Sequence, residues 1–562
     1  MKMQDMLEIM EKTARSEFDG CSHEARFSSR GPAEFMLPMD DGVELRTVIF
    51  RPDAGGAVPT VVSRTCYPEF DGVQRIRGEE YSKRGIAYVY QYCRGTGGSG
   101  GVWEPNINER PDGKSMIDWV CGQNWVGNVG YLGCSYPAMT GWVIADILPP
   151  KVKTMYLAHY GVFRHTSAYK DGLFRHDVLT SWTMGNAGFP IDTDYLQSCL
   201  YMPHIEVDEN LWGKRLDWYR DWITGADRCS SCWETGFWKM LRGIPGKVTI
   251  PVCICEGWYD HHLGSAIETY SALPEETKDC STFVIGAWNH MFQLKLEGHS
   301  AANSETGDDV RALDWFIKLL VKNERPQGGI RAYIIGDDSW CMGKELLTVK
   351  HAEKRLYIRG KNPEGVYGLS TEKEAIDEVI TYIYDPGNPV KTHGADALLH
   401  TEKDQGSLLQ PEPNYRQDIV SCISGAQEKE ITILGAITAS LVVSTNVDDT
   451  AFMVKISEVF PDGGSVNIRT GVTTLGYRNS ADSRVIYRPG DKVRISITMW
   501  DIAWKIQKGS RIRIDITSSD FPQYSIHSNY AGCWSHQDKK RLSKQRVYIG
   551  LSDDSHINLP LM

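Results

Sequence analysis

Three side chains in this 562-residue chain, a serine, an aspartate and a histidine, are of the types that nucleophilic acyl transfer uses. Ser135 lies in Gly133-Cys134-Ser135-Tyr136-Pro137-Ala138, after the apolar run Val129-Gly130-Tyr131-Leu132 and before a helix-like stretch through Trp142 and Ile147. A serine on a sharp strand-to-helix turn exposes its hydroxyl at the carboxyl edge of a sheet. Small flanking residues suit that turn, because it brings main chain close to main chain. Pro137 occupies the last glycine position of G-x-S-x-G, so an ordinary turn serine is the competing reading.

A serine hydroxyl is a weak nucleophile until a base takes its proton, and the base needs a carboxylate to orient it. In the hydrolase order both follow the serine, each just after a later strand. Asp260 ends Gly257-Trp258-Tyr259-Asp260 after the strand-like run at Val252, and His290 ends Gly286-Ala287-Trp288-Asn289-His290 after the run at Thr282. Leu263 to Leu273 is predicted as the helix joining them. His261 and His262 adjoin the acid without a strand of their own, and Asp118 precedes the nucleophile inside a helix. Surface or capping roles are expected for these three.

The elements that must position these groups fall into zones. From about Val43 to Tyr160, the runs Thr60-Val61-Val62, Ile86-Ala87-Tyr88-Val89-Tyr90 and Val129 to Leu132 are bounded by turn residues, with a predicted helix over Lys114–Cys121. Strands alternating with helices predict an α/β domain around a parallel sheet. From about Phe163 to Gly246 the β signal fades, and Trp182, Trp212, Trp218, Trp222, Trp233 and Trp238 crowd a segment read as a helical insertion. Strand-like runs resume at Val252 and Thr282, followed by a predicted helix over Arg311–Lys322 and a strand over Arg331–Ile335. Beyond about Ala352, Val493, Ile495 and Ile497, then Ile512, Ile514 and Ile516, alternate with polar neighbours, which predicts antiparallel strands with one face buried.

Two further motifs carry potential chemistry. Gly95-Thr96-Gly97-Gly98-Ser99-Gly100 satisfies G-x-G-x-x-G, but a dinucleotide site needs a helix to open there, and Val102-Trp103-Glu104-Pro105-Asn106 carries no helical pattern. Cys229 and Cys232 with Cys253 and Cys255 offer paired thiols, but one intervening residue in the second pair is atypical of zinc. The second pair is expected to pack in the core.

The pieces Gly133-Cys134-Ser135-Tyr136, Trp258-Tyr259-Asp260 and Trp288-Asn289-His290 resemble the cocaine esterase and X-Pro dipeptidyl-peptidase (S15-like) family of serine hydrolases. Arg94-Gly95-Thr96-Gly97, Gly336-Asp337-Asp338-Ser339-Trp340, Tyr384-Asp385-Pro386 and Val459-Phe460-Pro461-Asp462-Gly463 are also similar, in the family's order, from roughly Val43 to the C-terminus. The resemblance implies an α/β-hydrolase core with an inserted helical cap and a C-terminal β jelly roll. It also implies an oxyanion hole made by the hydroxyl of Tyr67, in Arg64-Thr65-Cys66-Tyr67-Pro68, and the backbone N–H of Tyr136. The chain departs from the pattern at Ala138, where glycine is expected, and at Asn289, where serine is common. Neither change removes a catalytic group, and Asn289 is expected to bear on the pocket.

Composition narrows the function further. Apolar residues at 41% and charged residues at 24% are globular values, and a formal net charge of −11 weighs against phosphate-backbone binding. No run of about 18 apolar residues occurs, so no membrane-spanning helix is expected. Asp5, Glu8 and Glu11 interrupt any signal-type apolar core, while Met3, Leu7 and Met10 predict a short amphipathic helix. Fourteen cysteines are too dilute for a disulfide framework, which points to the cytoplasm.

The expectation is a three-domain serine hydrolase of class α/β: core at 1–163 and 251–351, cap at 164–250, β domain at 352–562. Ser135 attacks an ester or amide carbonyl, His290 shuttles the proton, Asp260 orients His290, and Tyr67 with Tyr136 N–H holds the oxyanion. No cofactor or metal is called for, and the partner is a small ester, amide or short peptide rather than nucleic acid or membrane. Homo-oligomerisation, the acyl group and the leaving group are not legible. An X-Pro dipeptidyl-peptidase, which needs an acid in the cap for a substrate ammonium, and a silent hydrolase-fold binding protein are the alternatives.

Overall fold

The computed structural model describes residues 3–304, 307–347, 352–363, 365–396 and 402–562. Ten strands form one sheet in the order Ser29–Pro38, Glu44–Pro52, Ala87–Tyr92, Val58–Thr65, Val126–Cys134, Val152–Ala158, Val252–Tyr259, Thr282–Asn289, Gly329–Ile334 and Ser339–Gly343. Neighbours are parallel from Ala87–Tyr92 through Gly329–Ile334 and antiparallel outside that range. The central strands are apolar almost without interruption because both faces are covered. One core holds Met116, Ile117, Trp142 and Leu263, from the helices Glu109–Gly122, Tyr136–Trp142 and Leu263–Ser271. A second core holds Ala14, Phe18, Ile76, Leu313 and Phe316, from Met3–Asp19, Asp71–Lys83 and Asp308–Phe316. The helix expected from Arg311 starts at Asp308 and gives way to a π-helical turn at Ile317–Val321.

Glycines 95 and 97 have φ of 66° and 54°, and the chain forms turns until the helix at Glu109–Gly122. No helix opens at the glycine-rich run. Cys253 and Cys255 pack in the second core, whereas Cys229 is exposed.

The insertion leaves the sheet after Val152–Ala158 and returns at Val252–Tyr259, two strands that are direct neighbours with Ala158 opposite Cys255. It consists of short helices from Arg164–Ala168 to Gly236–Arg242 and one small hairpin, Tyr169–Lys170 with Leu173–Phe174. Val178, Leu179, Trp212, Tyr219, Trp222 and Trp233 give it a core of its own.

The C-terminal part is all β, built on an eleven-stranded, mostly antiparallel sheet. Val493–Ile506 begins with the expected alternation of exposed and buried positions. Arg511–Thr517 departs from it, since Arg513 and Asp515 on the polar face are buried too. They neutralise each other at 2.8 Å, which makes a doubly covered strand tolerable. Among the described residues no helix is long and apolar enough to cross a membrane.

Candidate active site

Four neighbouring parallel strands each end in a polar residue at the same edge of the sheet. Val126–Cys134 is followed by Ser135, Val152–Ala158 by His159, Val252–Tyr259 by Asp260, and Thr282–Asn289 by His290. Crevices beyond the carboxyl ends of parallel strands are where ligands bind in such sheets.

Ser135 has φ 62° and ψ −127°, a conformation that L-residues adopt only under strain. The turn is so tight that a Cβ on Gly133 would lie 2.2 Å from the carbonyl oxygen of Pro137. Ala138, fully buried, donates its N–H to the Ser135 carbonyl at 2.8 Å. Pro137 costs nothing at the second helical position, where the N–H has no intrahelical acceptor. The broken motif therefore keeps its geometry.

His290 bridges the other two groups. Its Nδ1 donates to Asp260 Oδ2 at 2.7 Å, and its Nε2 accepts from Ser135 Oγ at 3.1 Å. An imidazole held this way has its free nitrogen aimed at the hydroxyl whose proton it can take. Asp260 is fully buried, and its Oδ1 accepts the main-chain N–H of His262 at 2.6 Å. Burial pushes the Asp260 carboxyl up, but His290, His159 and His261 around it hold it well below the usual carboxylate range.

His159, absent from the sequence-based set, donates its Nδ1 proton to the same Asp260 Oδ2. It is fully buried with φ 52°, packed edge-on to Phe292 at 4.1 Å. The legible signal was its place just past the apolar run Met155-Tyr156-Leu157-Ala158, the position equivalent to Ser135, Asp260 and His290. His159, Asp260 and His290 also bring ligand-type atoms within 4.8 Å of one another. Both imidazole Nδ1 atoms donate to the carboxylate, and His290 Nε2 is engaged by Ser135.

Two expectations need correction. His261 and His262 are not at the surface: each is only 2% exposed, and both wall the cavity over Ser135. They reach it because the chain turns at Asp260 into the helix Leu263–Ser271, which seats them under the cap. Burial holds both imidazoles well below their usual pKa, hence neutral. Asn289 does not line the cavity. Its side chain donates to Gln405 and accepts from the N–H groups of Met291 and Gln293, so it braces the loop carrying His290. Asp118 does lie at the surface, paired with Lys114.

Tyr67 follows the strand Val58–Thr65 and faces the cavity, with Trp182 Nε1 donating to its hydroxyl oxygen at 2.9 Å. Burial pushes its phenol well above the usual range, so the hydroxyl stays protonated and can donate. Tyr136 opens its helix, which leaves its N–H without an intrahelical acceptor. Its ring is clamped between Trp103 and Trp182, and its hydroxyl donates to Glu109 at 3.0 Å. Glu109 in turn is paired with the fully buried Arg64 at 2.8 Å. Trp182, Trp222 and Trp238 of the insertion close the cavity, together with Tyr160 and Arg164.

Comparison with known proteins places this geometry in a family. Residues 41–292 match the model of the X-Pro dipeptidyl-peptidase (S15 family), and residues 367–557 match that of the X-Pro dipeptidyl-peptidase C-terminal non-catalytic domain. The chain is 25% identical to the cocaine esterase of Rhodococcus sp. (strain MB1 Bresler), across 94% of this chain and 98% of the relative. In fold it is similar to an aminopeptidase from a marine sediment Thaumarchaeota archaeon, with a TM-score of 0.77 at 20% identity over 95% of this chain and 96% of the other. It is equally similar to an α-amino acid ester hydrolase, with a TM-score of 0.77 at 20% identity over 96% and 98%. With an α/β-hydrolase core, an all-β C-terminal part and both family models matched in order, the chain belongs to the cocaine esterase and X-Pro dipeptidyl-peptidase family and is a serine hydrolase of ester or amide bonds.

Proposed function

We propose that Ser135, His290 and Asp260 form the catalytic triad of an acyl esterase or acylase acting on small substrates. The observation that carries this is the double engagement of His290, at 2.7 Å to Asp260 and 3.1 Å to Ser135. Ser135 Oγ attacks the substrate carbonyl as His290 Nε2 takes its proton, and Asp260 stabilises the resulting imidazolium. Tyr67 Oη and Tyr136 N–H donate to the oxyanion as it develops. His290 then returns the proton to the leaving group, and water admitted to the same edge releases the acyl-enzyme. In this reading 1–163 and 251–351 form the catalytic core, 164–250 the substrate-covering cap and 352–562 a jelly-roll support. Dilute cysteines support a reducing compartment, the cytoplasm, for this reading.

An X-Pro dipeptidyl-peptidase is the second reading within the family. It is disfavoured by the cavity wall, in which no described residue is Asp or Glu to receive a substrate ammonium. Turnover of p-nitrophenyl esters against Xaa-Pro-anilides, with Ser135→Ala as control, tests the choice. Esters should be cleaved faster, and preferential anilide cleavage would reverse it. A silent binding protein would turn over neither.

A further inference from the structure

Among the described residues, the wall of the cavity over Ser135 holds a permanent cation and no anion. Arg164 opens the helix Arg164–Ala168, where the chain leaves the sheet for the cap, and is 8% exposed. Other deeply buried arginines are matched by carboxylates: Arg64 by Glu109 at 2.8 Å, Arg175 by Asp177 at 2.9 Å, Arg513 by Asp515 at 2.8 Å. Arg164 has no such partner among the described residues. Its Nε is buried without an acceptor. Its guanidinium lies instead over the rings of Trp222 at 4.9 Å and Trp238 at 5.9 Å.

A guanidinium stays charged in proteins, and burying one without a counter-charge is unfavourable. The two indole faces offset part of that penalty through their negative quadrupoles. They also fix the plane of the fork while leaving its hydrogen-bond donors unspent. A planar fork of this kind matches a carboxylate with two parallel bonds. Its neighbours in the wall, Tyr67 and Tyr136, are the groups assigned to the oxyanion hole, so an anion on Arg164 sits close to the reacting carbonyl.

We propose that Arg164 binds a carboxylate of the substrate, making this hydrolase selective for esters or amides that bear a carboxylate close to the scissile bond. The inference rests on Ser135 being the nucleophile. The carboxylate belongs either to the acyl chain or to the leaving group.

Two substrate pairs separate these sources. Mono-4-nitrophenyl glutarate against its methyl ester tests the acyl side, and the acetate ester of 4-hydroxybenzoate against that of 4-hydroxybenzamide tests the leaving side. In one pair the wild type should favour the anion by roughly tenfold or more in kcat/KM, and Arg164→Gln should abolish the preference, with Arg164→Lys intermediate. Free glutarate or benzoate should also slow fluorophosphonate labelling of Ser135 in the wild type, which needs neither turnover nor a variant. Equal handling of anion and neutral ester in both pairs, or a parallel loss on both in Arg164→Gln, overturns the inference while the hydrolase reading stands. No labelling of Ser135 and no hydrolysis of any ester overturns both.

Discussion

The indole N–H of Trp182 donates to the hydroxyl oxygen of Tyr67 at 2.9 Å. Trp182 belongs to the cap helix Leu179–Asn186 and Tyr67 to the core, so the cap fixes where the Tyr67 proton points. Donation into the phenol oxygen also strengthens the outgoing O–H as a donor.

Tyr67→Phe removes only the hydroxyl, and turnover should fall by roughly 10²–10³. The Michaelis constant should rise at least tenfold less, because the donor is aimed at the oxyanion rather than the ground-state carbonyl. Trp182→Phe keeps an aromatic ring but loses the N–H, and a loss of about threefold to tenfold is expected. Steady-state kinetics with a p-nitrophenyl ester decides both. Near-wild-type turnover in Tyr67→Phe would mean that the oxyanion hole is built from other groups.

Ser135→Ala should lose turnover by a factor on the order of 10⁶ and lose fluorophosphonate labelling while staying folded. Mass spectrometry of the labelled wild type should find the adduct on Ser135 alone. An adduct elsewhere with activity retained would remove Ser135 from its role.

Stability should depend on pH through buried histidines. Burial lowers the pKa of His159, His176, His261 and His262, of His165 to about 4 and of His204 to about 3. Each folded pKa lies below the unfolded value of about 6.5, so the unfolded chain binds protons first as pH falls. Their neutral state costs nothing above that pH, and stability declines below it. Asp260 acts in the same sense at lower pH, where its depressed pKa makes stability fade as pH drops below the usual carboxylate value toward its own. Urea unfolding should show a free energy falling by up to about 1.4 kcal/mol per pH unit for each such histidine below pH 6.5. A flat profile between about pH 7.5 and 5 would contradict these assignments.

Of the cap tryptophans, Trp238 faces the cavity, whereas Trp212 and Trp233 lie in the cap's own core at 6% and 2% exposure. Trp238→Ala should shift the preference for ester chain length with little loss of stability. Trp212→Ala and Trp233→Ala should cost about 3–5 kcal/mol of folding free energy. Thermal melts beside a chain-length series separate the two classes, and uniform destabilisation would refute the division.

Much of the site was legible because each catalytic candidate ends an apolar strand, and such runs stand out in one dimension. That pattern and the hydrolase order together single out Ser135, Asp260 and His290. His159 ends a strand as well, but the hydrolase order has no place for a second histidine at Ala158-His159-Tyr160. Trp182, Glu109 and Arg164 act on the site from the cap and from a neighbouring helix, and only packing brings them there. The buried placement of His261 and His262 depended on the cap above them, which local propensity does not encode. In the β domain Ile512, Ile514 and Ile516 do lie on a strand, while the burial of its other face, at Arg513 and Asp515, comes from elements distant in sequence.

The cap is spliced into the crossover between the parallel neighbours Val152–Ala158 and Val252–Tyr259, leaving from the carboxyl end of the first and returning to the amino end of the second. Loop-closure entropy changes only slowly with the length of what such a crossover carries. The roof of this enzyme is thus an exchangeable part in topological terms: another insertion spanning the same crossover would leave the four strand ends undisturbed. A graft is constrained instead by the far side, where Tyr477 donates to Asp227 at 2.6 Å and Arg175 reaches Asp396 at 3.4 Å. A transplanted cap would have to arrive with its own partners on the β domain, so cap and C-terminal region form one unit of exchange.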